Sequence, residues 1–257
     1  MFETILYEVS DGVAWIRLNR PDKLNAFIGQ MNREIAKAIK QSSRDEAVRA
    51  VVITGEGRAF CSGQDLSEVS EDMDHGEVLR NNYGPMVKEL AACEKPVIAA
   101  VNGVAAGAGM SLALACDFRL LSEKASFVEA FIHVGLIPDS GNLYYLTRLV
   151  GHAKALELAV FGEKITAENA EELGLANKVI ALDDWESEVR AYAERLANMP
   201  TKAIGLIKRY LNESYNSSLE EYLEKEAYGQ RIVGQSVDHR EGVGAFMEKR
   251  QPVFQGK

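Results

Sequence analysis

Two stretches of this sequence have the residue types to polarise a carbonyl and move a proton beside it. One is Asn102-Gly103-Val104-Ala105-Ala106-Gly107-Ala108-Gly109, a small-residue turn that bares backbone amides. The other is Val134-Gly135-Leu136-Ile137-Pro138-Asp139-Ser140-Gly141, where Asp139 is a lone carboxylate at the end of an apolar run. Exposed amides are donors for a developing oxyanion, and an isolated carboxylate is a general base. Asp139 also has a second local reading, because an Asp before Ser140-Gly141 and an apolar helix suits an N-cap.

The elements around the turn must hold it in place. Pro96 to Val101 reads as a buried strand and Met110 to Cys116 as a buried helix, with no charged side chain between Lys95 and Asp117. That uncharged run has about the length of a membrane span, which needs ~20 apolar residues. Its Asn102, three glycines and small alanines, and its change of character halfway, favour strand, turn and helix instead. No membrane partner is expected.

The chain has 257 residues and a net charge of −9, so it can bury a sizeable core and offers no basic footprint for nucleic acid. Cys61, Cys93 and Cys116 are odd in number and lack metal or redox spacing, which suits a reducing compartment. Met1-Phe2-Glu3 opens no apolar signal segment, and a cytoplasmic protein is the expectation. The four histidines form no HExxH-like pair, and no metal is expected.

Phe2 to Tyr7 and Val13 to Leu18 alternate as two strands around a Ser10-Asp11-Gly12 turn, and Arg20 to Ala26 is a loop. From Phe27 to Ser43, Met31, Ile35, Ala38 and Ile39 recur at helical spacing. Val48 to Thr54 is another buried strand. Ser67 to Gly76 is acidic and is expected to be mobile, and a helix then runs to about Cys93. This order points to an α/β architecture with crossover connections. After Gly141 the pattern is almost wholly helical, with helices at Leu143–Val150, Ala153–Phe161, Ala167–Leu173 and Trp185–Ala197, and further amphipathic helices from Thr201 onward.

Taken together, these residues resemble the crotonase, or enoyl-CoA hydratase/isomerase, family. Asn19-Arg20-Pro21 with Asn25-Ala26, Arg58 to Leu66, and Val101 to Gly109 look like three of its signatures. Gly162-Glu163 through Gly174-Leu175, and Glu241-Gly242 to Phe246, also match it. The resemblance implies a spiral of ββα repeats over residues 1–197, with a helical oligomerisation region over 198–257 and a homotrimer or hexamer. It implies an acyl-CoA thioester substrate, with CoA as part of the substrate and no separate cofactor. It places the oxyanion-hole amides on Gln64 and Ala108, where Gly63 and Gly107 permit close approach. It lines the adenine and pantetheine path with Asn25-Ala26 and with Ala59 to Gly63, including Ser62. Asp65, Leu66, Ser111, Phe131 and Pro138 join the candidate binding residues, and Lys23, Arg20, Lys249 and Arg250 are candidate CoA-phosphate contacts with solvated surface charge as the default reading of each.

The departures from the family pattern decide the expected reaction. Ser111 and Phe131 stand where family hydratases carry two glutamates that activate water, and neither is a strong base. Asp139 remains, at a position where the family's isomerases carry an acid. Its Gly-Leu-Ile-Pro-Asp-Ser-Gly run looks most like that of isomerases acting on ring-1,2-epoxyphenylacetyl-CoA, or shifting a 3-enoyl double bond to 2-enoyl. An enoyl-CoA hydratase and a non-catalytic acyl-CoA- or RNA-binding protein are the alternatives. Leu136 and Ile137 are expected to desolvate Asp139 and raise its pKa. Glu129 reads as solvent-facing or paired with a lysine, and His133 as a hydrogen-bonded structural residue, with a pocket-lining role as the alternative. Asn142 replaces a glycine usual after Asp-Ser-Gly, which narrows the pocket or reshapes the turn.

Overall fold

Short apolar runs at Ala50, Val97 and Phe118 become parallel strands whose side chains alternate between two separate cores. The computed structural model describes residues 2–68, 70 and 72–257. Strand β1 (Ile5–Ser10) pairs antiparallel with β2 (Val13–Leu18) across Asp11 and Gly12, both at positive φ, a turn that matches strand twist. Strands β3 (Ala50–Gly55), β5 (Val97–Val101), β7 (Phe118–Ser122) and β10 (Lys178–Ile180) continue the sheet in parallel. A second sheet has the order β4 (Ala59–Cys61), β6 (Val104–Ala106), β8 (Ser126–Val128), β9 (Lys164–Thr166).

The pairs β3–β4, β5–β6 and β7–β8 each send one strand to the larger sheet and the next to the smaller. The chain therefore winds as a spiral of ββα-like turns, as expected. One core joins Ile16, Val51, Ile53, Ala99 and Leu121 to Phe60, Phe127 and the helices α1 (Gly29–Arg44), α3 (Gly84–Ala92) and α4 (Ala108–Ala115). The other lies on the opposite face, where Trp15, Val52, Ile98 and Leu120 meet Val189, Ala193 and Leu196 of a later helix. Two covered faces explain why these strands read as continuous apolar runs.

Helix α1 buries Met31, Ile35, Ala38 and Ile39, the four positions read from spacing. The expected helix to Cys93 divides into α2 (His75–Val78), a π turn over Leu79–Tyr83, and α3. Of the acidic Ser67–Gly76 stretch, Val69 and Glu71 lie outside the described residues. Strand pairing starts at Ile5, not Phe2, because the Glu34 carboxylate of α1 takes the Glu3 and Thr4 amides. Val104–Ala106, read as part of a turn, is a strand, and β4, β8 and β9 are three-residue strands without a sequence pattern of their own.

Beyond Gly141, α5 (Asn142–Phe161) spans both expected helices and bends at Gly151, whose φ is 76°. It is followed by α6 (Ala167–Glu172), α7 (Trp185–Ala197), α8 (Thr201–Ser214), α9 (Leu219–Gly234) and α10 (Val237–Glu248). Among the described residues no helix is long and apolar enough to cross a membrane.

Helix α4 is buried on every side and sits directly on β4. A Cβ at Gly109 would lie 2.2 Å from the Cys61 carbonyl oxygen. Gly109→Ala is expected to lower the unfolding free energy by about 1–3 kcal/mol, read by urea denaturation. Gly244→Ala, where nothing lies within 4 Å, is expected to gain roughly 0.5–1 kcal/mol in the same assay.

Candidate active site

Two glycine turns abut at the junction of β4 with α4. Beyond Cys61, the Ser62 amide donates to the Leu24 carbonyl at 3.0 Å and Gly63 turns at φ 94°. Phe27 then takes the Gly63 carbonyl at 2.7 Å and the Asp65 amide at 2.9 Å. Those two bonds flank Gln64, and its own N–H has no partner among the described residues. Opposite, Gly107 turns at φ 52° with its N–H on the Val128 carbonyl at 2.9 Å. Ala108 is the first residue of α4, where an N–H has no intrahelical acceptor. A Cβ on Gly63 would lie 2.9 Å from the Ala106 oxygen and 3.6 Å from the Ala108 nitrogen, so the turns touch through backbone. Two neighbouring unpaired amides form a donor pair for a carbonyl oxygen gaining charge.

The side chains here brace the turn. Gln64 Oε1 accepts from the Tyr83 hydroxyl at 2.5 Å, and the Tyr83 ring stands edge-on to Phe27 at 5.7 Å. Asp65 is held by the Ser67 hydroxyl at 2.6 Å and by Arg20 at 2.8 Å, which bring its pKa down to about 2. It is an anchor under Gln64. Arg20 also donates to the Ala26 carbonyl, so its guanidinium is engaged inside the loop.

Asp139 lies on the opposite wall. Ser140 and Gly141 both take left-handed backbone (φ 57° and 80°), which reverses the chain so that α5 starts beside it. Gly141 occupies the cap position, and the Asp139 carboxylate makes no bond to the helix amides. Its Oδ1 accepts from the Ser140 hydroxyl at 2.8 Å, and Oδ2 has no hydrogen-bond partner among the described residues. The N-cap alternative is thereby removed. Burial raises the Asp139 pKa, against the lowering effects of Ser140 and His75. The direction agrees with expectation but the cause differs, because Ile137 is 78% and Leu136 39% exposed. The fold around Asp139, with Tyr83 and Glu129 close enough to feel its charge, supplies the desolvation.

Between these walls lies a buried polar cluster. Ser111, one turn into α4, gives its hydroxyl to the Gly107 carbonyl at 3.2 Å and accepts from Asn142 Nδ2 at 3.2 Å. It is fully buried, and its hydroxyl supports the turn. Phe131 is buried with its ring tip 3.9 Å from where a Gly107 Cβ would stand. Asn142 is the first, fully buried residue of α5 and fills the space between α5 and α4.

Glu129 is the main correction. It is 0% exposed, and among the described residues it has no lysine partner and no hydrogen bond of good geometry, the Asn142 amide being the donor placed nearest to it. Burial, with a smaller contribution from the Asp139 charge, pushes its pKa up to about 7, while Asn142 opposes the shift. The signal for its burial was in the alternation of β8, since Glu129 follows Phe127 by two residues and shares its inward side. His75 and Tyr83 are the other neighbours of Asp139 that sequence reasoning did not single out.

The remaining expected residues divide. Asn25 is fully buried and binds the Arg20 amide and the Glu56 and Ala59 carbonyls, each at 2.9 Å, so its side chain pins loops together. Ala26 and Ala59 are buried behind the Gln64 turn, and Ser62 and Pro138 are half-buried. Lys23 and Leu66 are exposed at the rim. His133 is exposed and makes no side-chain hydrogen bond among the described residues, which corrects its reading as a bonded interior histidine.

The enoyl-CoA hydratase/isomerase family model matches residues 8–257. The chain belongs to the enoyl-CoA hydratase/isomerase family. It is an enzyme of that family, and its two-amide site fits the family's acyl-CoA thioesters. It is 43% identical over the whole of both chains to the 1,2-epoxyphenylacetyl-CoA isomerase of Escherichia coli K12. It is 44% identical to a Rhodobacter capsulatus protein named "Probable enoyl-CoA hydratase", covering 100% of this chain and 99% of that one. The crystal structure of enoyl-CoA hydratase from Bacillus anthracis superposes with a TM-score of 0.92 at 32% identity, covering 99% and 100% of the two chains.

The raised pKa of Glu129 has a stability consequence of definite sign. Between 4.5, its ordinary value, and about 7, the folded chain holds a proton that the unfolded chain has released. Stability therefore falls as pH rises through that window. Glu129→Gln cannot ionise and is expected to gain about 3 kcal/mol in urea denaturation at pH 8, a gain that shrinks toward pH 4.5.

Proposed function

We propose that this protein is an acyl-CoA isomerase in which the Gln64 and Ala108 amides hold the thioester oxygen and Asp139 moves the proton. The observation that carries this reading is the free Oδ2 of a desolvated Asp139 facing a site where Ser111 and Phe131 stand in place of two water-activating carboxylates. Asp139 removes a proton from C2 of a 3-enoyl thioester, and the electron pair passes through the double bond to the oxygen as a dienolate. The same carboxyl returns the proton at C4, so no atom is gained or lost. A raised pKa suits a group that must take and give back one proton.

The 43% identity to the E. coli enzyme over the full length of both chains supports 1,2-epoxyphenylacetyl-CoA as a substrate of the same site, beside or in place of the 3-enoyl thioester. The exposed apolar side chains Leu211, Leu219, Leu223, Phe246 and Met247 on α8–α10 support a self-associating C-terminal region, a homotrimer or hexamer by sedimentation.

The test pairs two assays on purified protein. A 3-enoyl-CoA is expected to be converted to the conjugated 2-enoyl form, with crotonyl-CoA hydration negligible. Asp139→Asn is expected to lower kcat for isomerisation by about 10²- to 10⁴-fold with little change in KM. Efficient hydration of crotonyl-CoA, or an Asp139→Asn variant as active as the parent, overturns the reading.

A further inference from the structure

The Gly63–Gln64 peptide presents one of the two site amides, yet no regular element holds it. Ala108 opens a helix, whereas Gln64 lies between β4 and a single turn over Leu66–Glu68. Two aromatic residues from elsewhere in the chain hold it instead. At the carbonyl end, the Gly63 oxygen accepts from the Phe27 N–H at 2.7 Å. At the other end the Gln64 side chain is fixed: its Oε1 accepts from the Tyr83 hydroxyl at 2.5 Å, and its Nε2 donates to the Asp65 carbonyl at 3.4 Å. The Tyr83 ring meets the Phe27 ring edge-on, at 5.7 Å and 89°. Phe27, Gln64 and Tyr83 thus close a ring of contacts around one peptide. Phe27 is fully buried and Tyr83 is 3% exposed, which shields both bonds from water. Burial also raises the Tyr83 pKa, so its hydroxyl keeps the proton it donates.

The backbone around Tyr83 is built for this reach. Tyr83 ends the π turn, where the Gly84 N–H donates to the Leu79 carbonyl, and Pro85 follows without an N–H of its own. Such a turn inserts one residue into a helix and is frequent at functional sites. Here it sends neighbouring side chains to different partners: Asn82 Oδ1 accepts from Arg33 of α1 at 3.3 Å, while Tyr83 turns in to Gln64.

We propose that Tyr83 is a positioning residue of the oxyanion hole, its hydroxyl fixing the aim of the Gln64 N–H through the Gln64 side chain. The inference rests on the thioester reading above, in which that N–H meets the substrate oxygen. Without the hydroxyl, the Gln64 side chain is released and the peptide is held through Phe27 alone. Gly63, at φ 94° and with no side chain, offers little resistance to rotation of that peptide. A donor that loses its aim costs most where the oxygen carries most charge, so the loss falls on kcat.

The probe is cinnamoyl-CoA, a conjugated thioester whose absorbance moves to the red as its carbonyl is polarised. Tyr83→Phe keeps the ring contact and removes only the hydroxyl. It is expected to bind the probe within about threefold of the parent, to lose roughly half or more of the red shift, and to lower kcat for isomerisation roughly tenfold with KM little changed. Gln64→Met keeps the backbone amide and removes the acceptor, and is expected to show the same losses. It tests the bond from its other end without touching the aromatic pair, so a folding defect in Tyr83→Phe does not decide the matter. The double variant is expected to lose no more than either single one, because both cut the same bond. A parental red shift and kcat in Gln64→Met or in folded Tyr83→Phe, or losses that add in the double variant, overturn the proposal and leave the isomerase reading intact. Failure of the parent protein to bind cinnamoyl-CoA overturns the thioester reading and the proposal with it.

Discussion

The site depends on backbone lying directly against backbone, with no side chain between. The β4 segment and the Gly63 turn rest on the β6–α4 segment. A Cβ at Gly103 would lie 2.1 Å from the Arg58 oxygen, one at Gly109 would lie 2.2 Å from the Cys61 oxygen, and one at Gly63 2.9 Å from the Ala106 oxygen. Only glycine allows that approach. The contact sets the spacing of the Gln64 and Ala108 amides, and neither has an acceptor among the described residues. Buried backbone donors are ordinarily paired. Two unpaired ones fixed by close packing are preorganised for a charge that has yet to form, which is where electrostatic stabilisation is largest.

Around the two glycine turns charge is kept off α4 and confined to the flanking elements. Helix α4 contributes only apolar and small residues, with the Ser111 hydroxyl turned back onto its own first turn. The Asp65–Arg20 pair lies behind the Gln64 turn, where its charges serve the loop. Asp139 and Glu129 are thus the titrating groups that shape the reaction field, and both have raised pKa values because the fold withholds water from them. An unscreened donor pair is stronger in such surroundings than it would be beside bulk water.

Much of this was legible in the sequence, and the failures have physical causes. The strand β2, the buried face of α1, the Gly107 turn and the start of α4 follow from periodicity and composition, which long regular elements express clearly. Strands β4, β6, β8 and β9 are three residues long, too short to show a period, and owe their form to pairing across the spiral. Asn25 matches a family signature and sits near the site, yet its side chain ties three loops together, a role visible only once those loops converge. Asp139 was legible as a desolvated acid, but not the source of its desolvation, since its sequence neighbours Leu136 and Ile137 are exposed. Its burial is made by residues distant in the chain.

Glu129 and Asn142 make sense only as a pair. A carboxyl sealed in an apolar interior is costly, and burial without partners would favour its loss. An asparagine at position 142 in place of glycine gives that carboxyl a polar neighbour and also reaches Ser111, so one side chain joins α5, α4 and the end of β8. The two residues that read as oddities along the chain therefore form a single arrangement in space. The hydrogen bonds from Asn142 through Ser111 end on the Gly107 carbonyl, beside the start of α4.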